Sequence, residues 1–272
     1  MPTYRAGALV IGSLYWDTVP ERQEWRKKYF ETADHPEALA VPLPLRYGMY
    51  SRKRMCPTMV LSADWAQERK WGQALVLPFQ KAYNLPGLLQ AARDQSYAEG
   101  PADRHLIKGP PADPWCLLVA WVNPHLDDNR RKAFQDYWSA SYETALSSPL
   151  LARFRMEHES TGLIDDRGLL QQPWPAALAH LDVVFLTQTR PIRGNGQRNH
   201  YPHPQEIARE SASRPSYFLC NRFFGLHSAE DAAIAEELKK LAAPSQIVEN
   251  ARQEGCLEQV LPQTPSLLNI TK

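Results

Sequence analysis

The stretch Val10-Ile11-Gly12-Ser13-Leu14-Tyr15-Trp16-Asp17 carries the clearest chemical signal, an apolar run that ends in a Gly-Ser turn. A strand ending this way can aim consecutive backbone N–H groups at one point, a concavity that suits carboxylate or phosphate oxygens. Gly12 permits close approach of backbone to ligand. The same turn serves equally well as a plain connection. Other chemistry-bearing residues are more scattered. His200 and His203 flank Tyr201-Pro202, and His158 sits between two glutamates. A metal centre needs several convergent ligands with supporting hydrogen bonds, and this spacing supplies no such set. Loop and surface histidines, and no bound metal, are expected. Cys56, Cys116, Cys220 and Cys256 are far apart and form no C-x-x-C pair, which excludes a zinc ribbon or thioredoxin motif. Reduced, structural thiols are expected in a chain this large and cysteine-poor. There is no P-loop, no G-x-S-x-G elbow and no H-E-x-x-H. Arg193-Gly194-Asn195-Gly196 reads as a turn, because no strand-turn-helix unit surrounds it.

The elements that must position these residues follow from periodicity and punctuation. Residues 7–14 read as a buried strand, and residues 20–31 as a helix entered from Pro20. Strand-like runs at 41–51, 58–62 and 72–78 suggest a small antiparallel meander, with Pro42 and Pro44 suiting an edge or strand entry. Residues 85–99 read as a helix with Pro86 in its first turn and Leu88, Ala91, Ala92 and Gln95 on one face, stopped by Gly100-Pro101. After a proline-rich connection at 101–114, the apolar run 115–123 reads as a central strand. Residues 129–160 are helical in composition, with a break at Ser147-Ser148-Pro149, and 161–180 look irregular. Further on, 181–187 and 217–224 read as strands, 190–204 as a loop, and 205–211 as a short helix entered from Pro204. Residues 228–240 read as a helix with Ser228 as N-cap, Asp231 in the first turn and Lys239-Lys240 at its end. No internal repeat is present.

Bulk properties narrow the classes. The 272 residues suit one large domain or two small ones, and 43% hydrophobic with 22% charged residues is ordinary for a folded protein. A net charge of +1 argues against a dedicated nucleic-acid binder. Arg52-Lys53-Arg54 reads as a hairpin tip or a small basic patch. The run Ala8 to Ile11 is too short for a signal-peptide core, and nothing approaches the roughly 18 apolar residues of a membrane helix. The expectation is a cytoplasmic protein with no membrane or nucleic-acid partner. The sequence carries no signal for an oligomeric state.

On the residues Ile11-Gly12-Ser13-Leu14-Tyr15-Trp16-Asp17, the chain resembles the γ-glutamylcyclotransferases, including the ChaC-type glutathione cyclotransferases. That family opens with a strand ending Tyr-Gly-Ser-Leu, often followed in the ChaC type by a hydrophobic residue, Trp, Asn or Asp, and Pro. Leu45-Arg46-Tyr47 matches its arginine-bearing strand, and the helix ending Ala98-Glu99-Gly100 its acid-bearing helix. The resemblance covers roughly residues 7–123 and departs at Ile11, where the family has tyrosine. It implies an α+β protein: a small mixed or antiparallel β-barrel over residues 1–126, with a mostly helical C-terminal region over 127–272, separate or packed on the barrel as one unit. It also implies a cofactor-free reaction on a small-molecule γ-glutamyl substrate, closed to 5-oxoproline with release of an amine. Glu99, or Asp94 as the alternative, would be the acid and base. Backbone amides of Gly12, Ser13 and Leu14, with Arg46, would bind the substrate. A related amide-cleaving or acyl-transfer enzyme, or a non-catalytic module binding a small anion, fits the same scaffold.

Overall fold

Apolar runs without polar alternation become strands buried on both faces, and one such strand organises the larger sheet. The protein is represented by a computed structural model, which describes residues 2–32, 36–51, 54–99, 112–113, 116–146, 162–189 and 200–269. Arg52-Lys53, the Gly100-Pro101 stop, most of the proline-rich connection, the break at 147–149, His158 and the 193–196 turn lie outside the described residues. Strand β1 (Ala6–Val10) is buried at every position. After β2 (Leu39–Leu43), β3 (Leu45–Ser51) and β4 (Cys56–Leu61) come β5 (Gly72–Pro78), β6 (Ala112–Asp113), β7 (Cys116–Val122) and β8 (Val183–Gln188). β1 pairs antiparallel with β5, from Gly7 opposite Pro78 to Val10 opposite Leu75, and parallel with β8, with Ala6 opposite Val183. The sheet order is β2-β5-β1-β8-β7-β6.

This mixed sheet, with helices around it, makes the protein α+β. It differs from the expected barrel in ending at two edges, β2 and β6, with no closure among the described residues. Among the described residues the expected meander is also absent. Pro44 divides the run 41–51 into β2 and β3, and there β3 pairs with β4 in a separate two-stranded sheet, while β5 joins β1. Pro42 sits exposed in edge strand β2, where its missing N–H costs no ladder bond.

Two compact units are built from interleaved stretches. One comprises Met1–Val10, Asp17–Val41 and Leu75–Thr189, the other Ile11–Trp16, Pro42–Ala74 and Arg190–Lys272, so the chain does not divide once near 126. In the first unit, α1 (Pro20–Tyr29) and α3 (Leu85–Glu99) lie where the sequence places them, and α4 (Asp128–Leu146) follows β7. The apolar face of α3 includes fully buried Gln95, whose amide donates to the carbonyls of Leu9 in β1 and Phe185 in β8, each at 3.3 Å. From α4, Phe134 and Trp138 stack at 6.0 Å and reach Phe185. Trp25, Tyr29, Phe30, Phe79 and Tyr83 form a second aromatic cluster.

The second unit holds the β3–β4 hairpin, α2 (Ala63–Glu68), α5 (Pro204–Ala212), α6 (Ser216–Phe223), α7 (Asp231–Leu241), α8 (Pro244–Gln253) and α9 (Thr264–Leu268). The expected strand at 217–224 is helix α6. Leu219 N–H donates to Pro215 and Phe224 N–H to Cys220, the helical i→i−4 pattern, and residues 216–221 are all buried. Burial all round erased the polar face that would have revealed the helical period. Helix α7 starts at Asp231, three residues later than expected. Ser228 instead anchors the preceding turn, donating its N–H and Oγ–H to Asp231 Oδ1 at 2.8 and 2.7 Å.

In the first unit, buried Asp182 accepts from the Arg5 N–H at 2.8 Å and from Arg130 Nη2 at 2.9 Å, the latter bonding also to the Thr3 carbonyl. Replacing Asp182 with alanine strands a buried donor and a charge, so urea unfolding of Asp182→Ala is expected to show a loss of about 2–4 kcal/mol.

Candidate functional site

Both candidate acids lie on α3 in the first unit, and the helix turns them to different surroundings. Asp94 is fully engaged. It accepts from Lys28 Nζ and the Tyr29 hydroxyl, each at 2.5 Å, and from Gln90 Nε2 at 2.8 Å. Burial, and then the bond to Asp94, push the Tyr29 phenol well above its ordinary value. These contacts tie α3 to α1.

Glu99, the last residue of α3, has a side chain only 12% exposed. Thr187 Oγ1, in β8, donates to Glu99 Oε1 at 3.0 Å, and Arg22 Nη2 lies 3.8 Å from Oε2. Arg22 is itself buried and bonds the backbone here as well. Nε donates to the Ala98 carbonyl, Nη2 to the Glu99 carbonyl and Nη1 to Asp17 Oδ2, all at 3.0 Å. The guanidinium thus satisfies carbonyls left open where α3 ends. It also places a positive charge at the negative end of the helix dipole. The outcome is an oriented, mostly buried carboxylate next to a hydroxyl donor. Arg22 and Thr187 carried no recognisable sequence signal, since their roles depend on where distant backbone ends.

Gly12, Ser13, Leu14 and Arg46 belong to the second unit. The turn is bolted to α6. A Cβ on Gly12 would stand 2.4 Å from the Tyr217 hydroxyl, so the glycine is needed for close approach of a phenol. That hydroxyl accepts the Met59 N–H at 3.3 Å, and burial pushes its proton affinity up to about 12. Ser13 and Leu14 are buried, the Tyr15 ring meets Phe224 edge-on at 5.3 Å, and Trp16 Nε1 donates to Asn221 Oδ1 at 2.7 Å. Tyr217 and Asn221 were hidden from sequence reasoning by the reading of their segment as a strand.

Arg46 is on β3, as expected, opposite Val60. Its neighbour Tyr47 meets the Tyr217 ring at 6.4 Å, so the pleat turns Arg46 to the other face of the strand, away from the Gly12 turn. There its guanidinium lies over Tyr201 at 4.4 Å and Trp65 at 5.0 Å. Gly48, two residues on, leaves room for the Tyr201 ring, since a Cβ there would stand 3.1 Å from it. Arg46 Nε is 3.7 Å from Glu230 Oε1, too long for a hydrogen bond, and neither Nε nor Glu230 Oε2 has a hydrogen-bond partner among the described residues. Burial pushes the Glu230 carboxyl up to about 7, with Arg46 and Lys70 opposing the shift and Asp231 adding to it.

Among the described residues, no group of three or more His, Cys, Asp or Glu is placed to hold a metal ion. No described helix is long and apolar enough to cross a membrane. Compared with protein-family models, curated proteins and solved structures, the chain shows no match.

Two measurements check this geometry. Gly12→Ala is expected to cost about 1–3 kcal/mol in urea unfolding through overpacking against Tyr217. Part of that loss should return in Gly12→Ala combined with Tyr217→Phe, because the two sites are in contact. For Glu230, a carboxyl whose folded-state value is raised binds its proton more tightly in the native state. Stability therefore falls as pH rises from the ordinary 4.5 through about 7. The fall is of order 3 kcal/mol. Glu230→Gln should lack it, so the variant gains on wild type between these pH values; parallel stability profiles would contradict the assignment.

Proposed function

We propose that this protein is a γ-glutamylcyclotransferase-like enzyme in which Glu99 carries the proton. The observation that carries the reading is the state of Glu99 in the first unit: a carboxylate mostly removed from water, at the end of a helix, held by Thr187 Oγ1 at 3.0 Å. The sequence resemblance supplies the reaction. The α-ammonium of a γ-glutamyl amide gives a proton to Glu99, and the freed amine attacks its own γ-carbonyl carbon. A C–N bond forms and closes the five-membered lactam. The original C–N bond then breaks as Glu99 returns the proton to the leaving nitrogen, and the second proton lost by the attacking nitrogen goes to the released amine, which departs as its ammonium. The products are 5-oxoproline and a free amine, with no redox change and no cofactor.

Such a reaction asks the protein mainly for geometry. The reacting ends already belong to one molecule, so holding it folded removes most of the entropic barrier. A single carboxylate can serve as base and then acid when its surroundings stay fixed. Arg22 suits that demand, because its own hydrogen bonds hold the two carbonyls at the end of the helix and leave its charge at 3.8 Å from Glu99. A second reading is favoured by the same residues: Arg22, Asp17 and Glu99 as a buried ionic clamp with no catalytic duty.

The two readings part in one experiment. Purified wild type, Glu99→Gln and Asp94→Asn are assayed for 5-oxoproline release from γ-glutamyl peptides and amines, with urea unfolding of each. The cyclotransferase reading expects release by wild type, a loss of at least about 100-fold in a folded Glu99→Gln, and retained release in Asp94→Asn. No release from any substrate, with Glu99→Gln merely destabilised, would establish the clamp.

A further inference from the structure

Outside the residues considered above, the second unit holds two thiols in mutual contact. Cys220 in α6 and Cys256 just beyond α8 are buried, with Sγ atoms 3.3 Å apart. Both are held by structure unrelated to sulfur. Gly255, at a φ of +74°, ends α8, and the Cys256 N–H then donates to the Ala251 carbonyl at 2.9 Å, the wide bond of a glycine-terminated helix. Ser216 joins the start of α6 to the end of α8. Its N–H donates to Glu254 at 3.0 Å and its hydroxyl to the Ala251 carbonyl at 3.2 Å. The sulfurs therefore face each other because two capped helix ends are pinned together.

We infer that Cys220 and Cys256 form a reversible dithiol–disulfide site oxidised by hydrogen peroxide. Bonding needs the sulfurs to close by roughly 1.3 Å, to a bond of about 2.05 Å, which side-chain rotation of a contacting pair can supply. Peroxide is small enough to reach a site whose entry is Cys256, 7% exposed while Cys220 is fully buried. The contact also distinguishes the two sulfurs. The Cys220 S–H lowers the proton affinity of Cys256 against the opposing effect of burial, whereas the contact with Cys256, and then burial, raise that of Cys220.

The chemistry balances without a further reactant. The Cys256 thiolate attacks one peroxide oxygen. An S–O bond forms, the O–O bond breaks, and hydroxide leaves with the displaced proton as water. The Cys220 sulfur then gives up its proton and attacks the sulfenic sulfur of Cys256. An S–S bond forms, the S–O bond breaks, and a second water departs. Two electrons pass from the two sulfurs to peroxide. Cys56, buried with its thiol pushed up to about 12, is the built-in comparison, a cysteine with no thiolate to offer.

The test uses the full chain, treated with hydrogen peroxide and quenched in acid for intact-mass measurement, with thiol alkylation applied only to the portion taken to peptide mass spectrometry. Wild type is expected to lose about 2 Da and yield a peptide pair joined through Cys220 and Cys256, both reversed by dithiothreitol. Because the two cysteines are 36 positions apart, the bridge should raise Tm by about 5–10 °C. Cys220→Ser should stop at a sulfenic acid on Cys256, trapped by dimedone, and Cys256→Ser should form no bridge. The mass of the wild-type protein alone decides the matter should either variant fold poorly. No 2 Da loss, a bridge joining another pair, or over-oxidation of Cys256 in wild type would each overturn the inference.

Discussion

Strands β1 and β8 lie side by side and parallel at the middle of the larger sheet, and every residue of both is buried. A parallel pair cannot be joined by a tight turn. Everything between them in the first unit, from α1 to the irregular stretch before β8, is in that sense the connection. The pairing also decides which residues can meet. Gln95 spans the pair from α3, Phe185 takes the aromatic face of α4, and Thr187 turns its hydroxyl to Glu99. Had β8 slipped by one residue, its side chains would have exchanged faces and that last contact would vanish.

Burial is used in two contrasting ways around the charged groups. At the end of α3, Arg22 directs three hydrogen bonds to Ala98, Glu99 and Asp17, so its desolvation is offset by specific partners. On β3, the Arg46 guanidinium lies over two rings, and its approach to Glu230 is not a hydrogen bond. Aromatic faces stabilise the cation without neutralising the carboxylate. The consequence is a glutamate whose proton is held near neutrality, a property that a well-made ion pair would have removed.

Much of the local structure was legible in the sequence. β5 and α3 begin and end where periodicity and punctuation place them, because one is a largely apolar run and the other has an apolar face, each with a sharp stop. What local pattern could not supply was partnership. Nothing near Gly72–Pro78 says that it pairs with β1 and not β4. Segment 216–223 looks like a strand because its aromatic and apolar residues are buried on all sides. The candidate site shows the same divide. Arg46 and Glu99 sit on the elements expected for them, yet their surroundings, Tyr201 and Glu230 for one and Thr187 and Arg22 for the other, come from remote stretches.

The interleaving of the two units sets an order of events when the chain is made. The β3–β4 hairpin is complete once Leu61 has emerged, but α5 and α6, which cover β4 and the Tyr47 ring, begin only at Pro204. At cellular rates of synthesis, that apolar hairpin waits roughly 10–30 s for its cover. A fragment ending near residue 189 would keep the first unit entire and leave the hairpin without α5 and α6. The second unit can therefore mature only after its last helix, α9, has been made, long after the hairpin of the same unit.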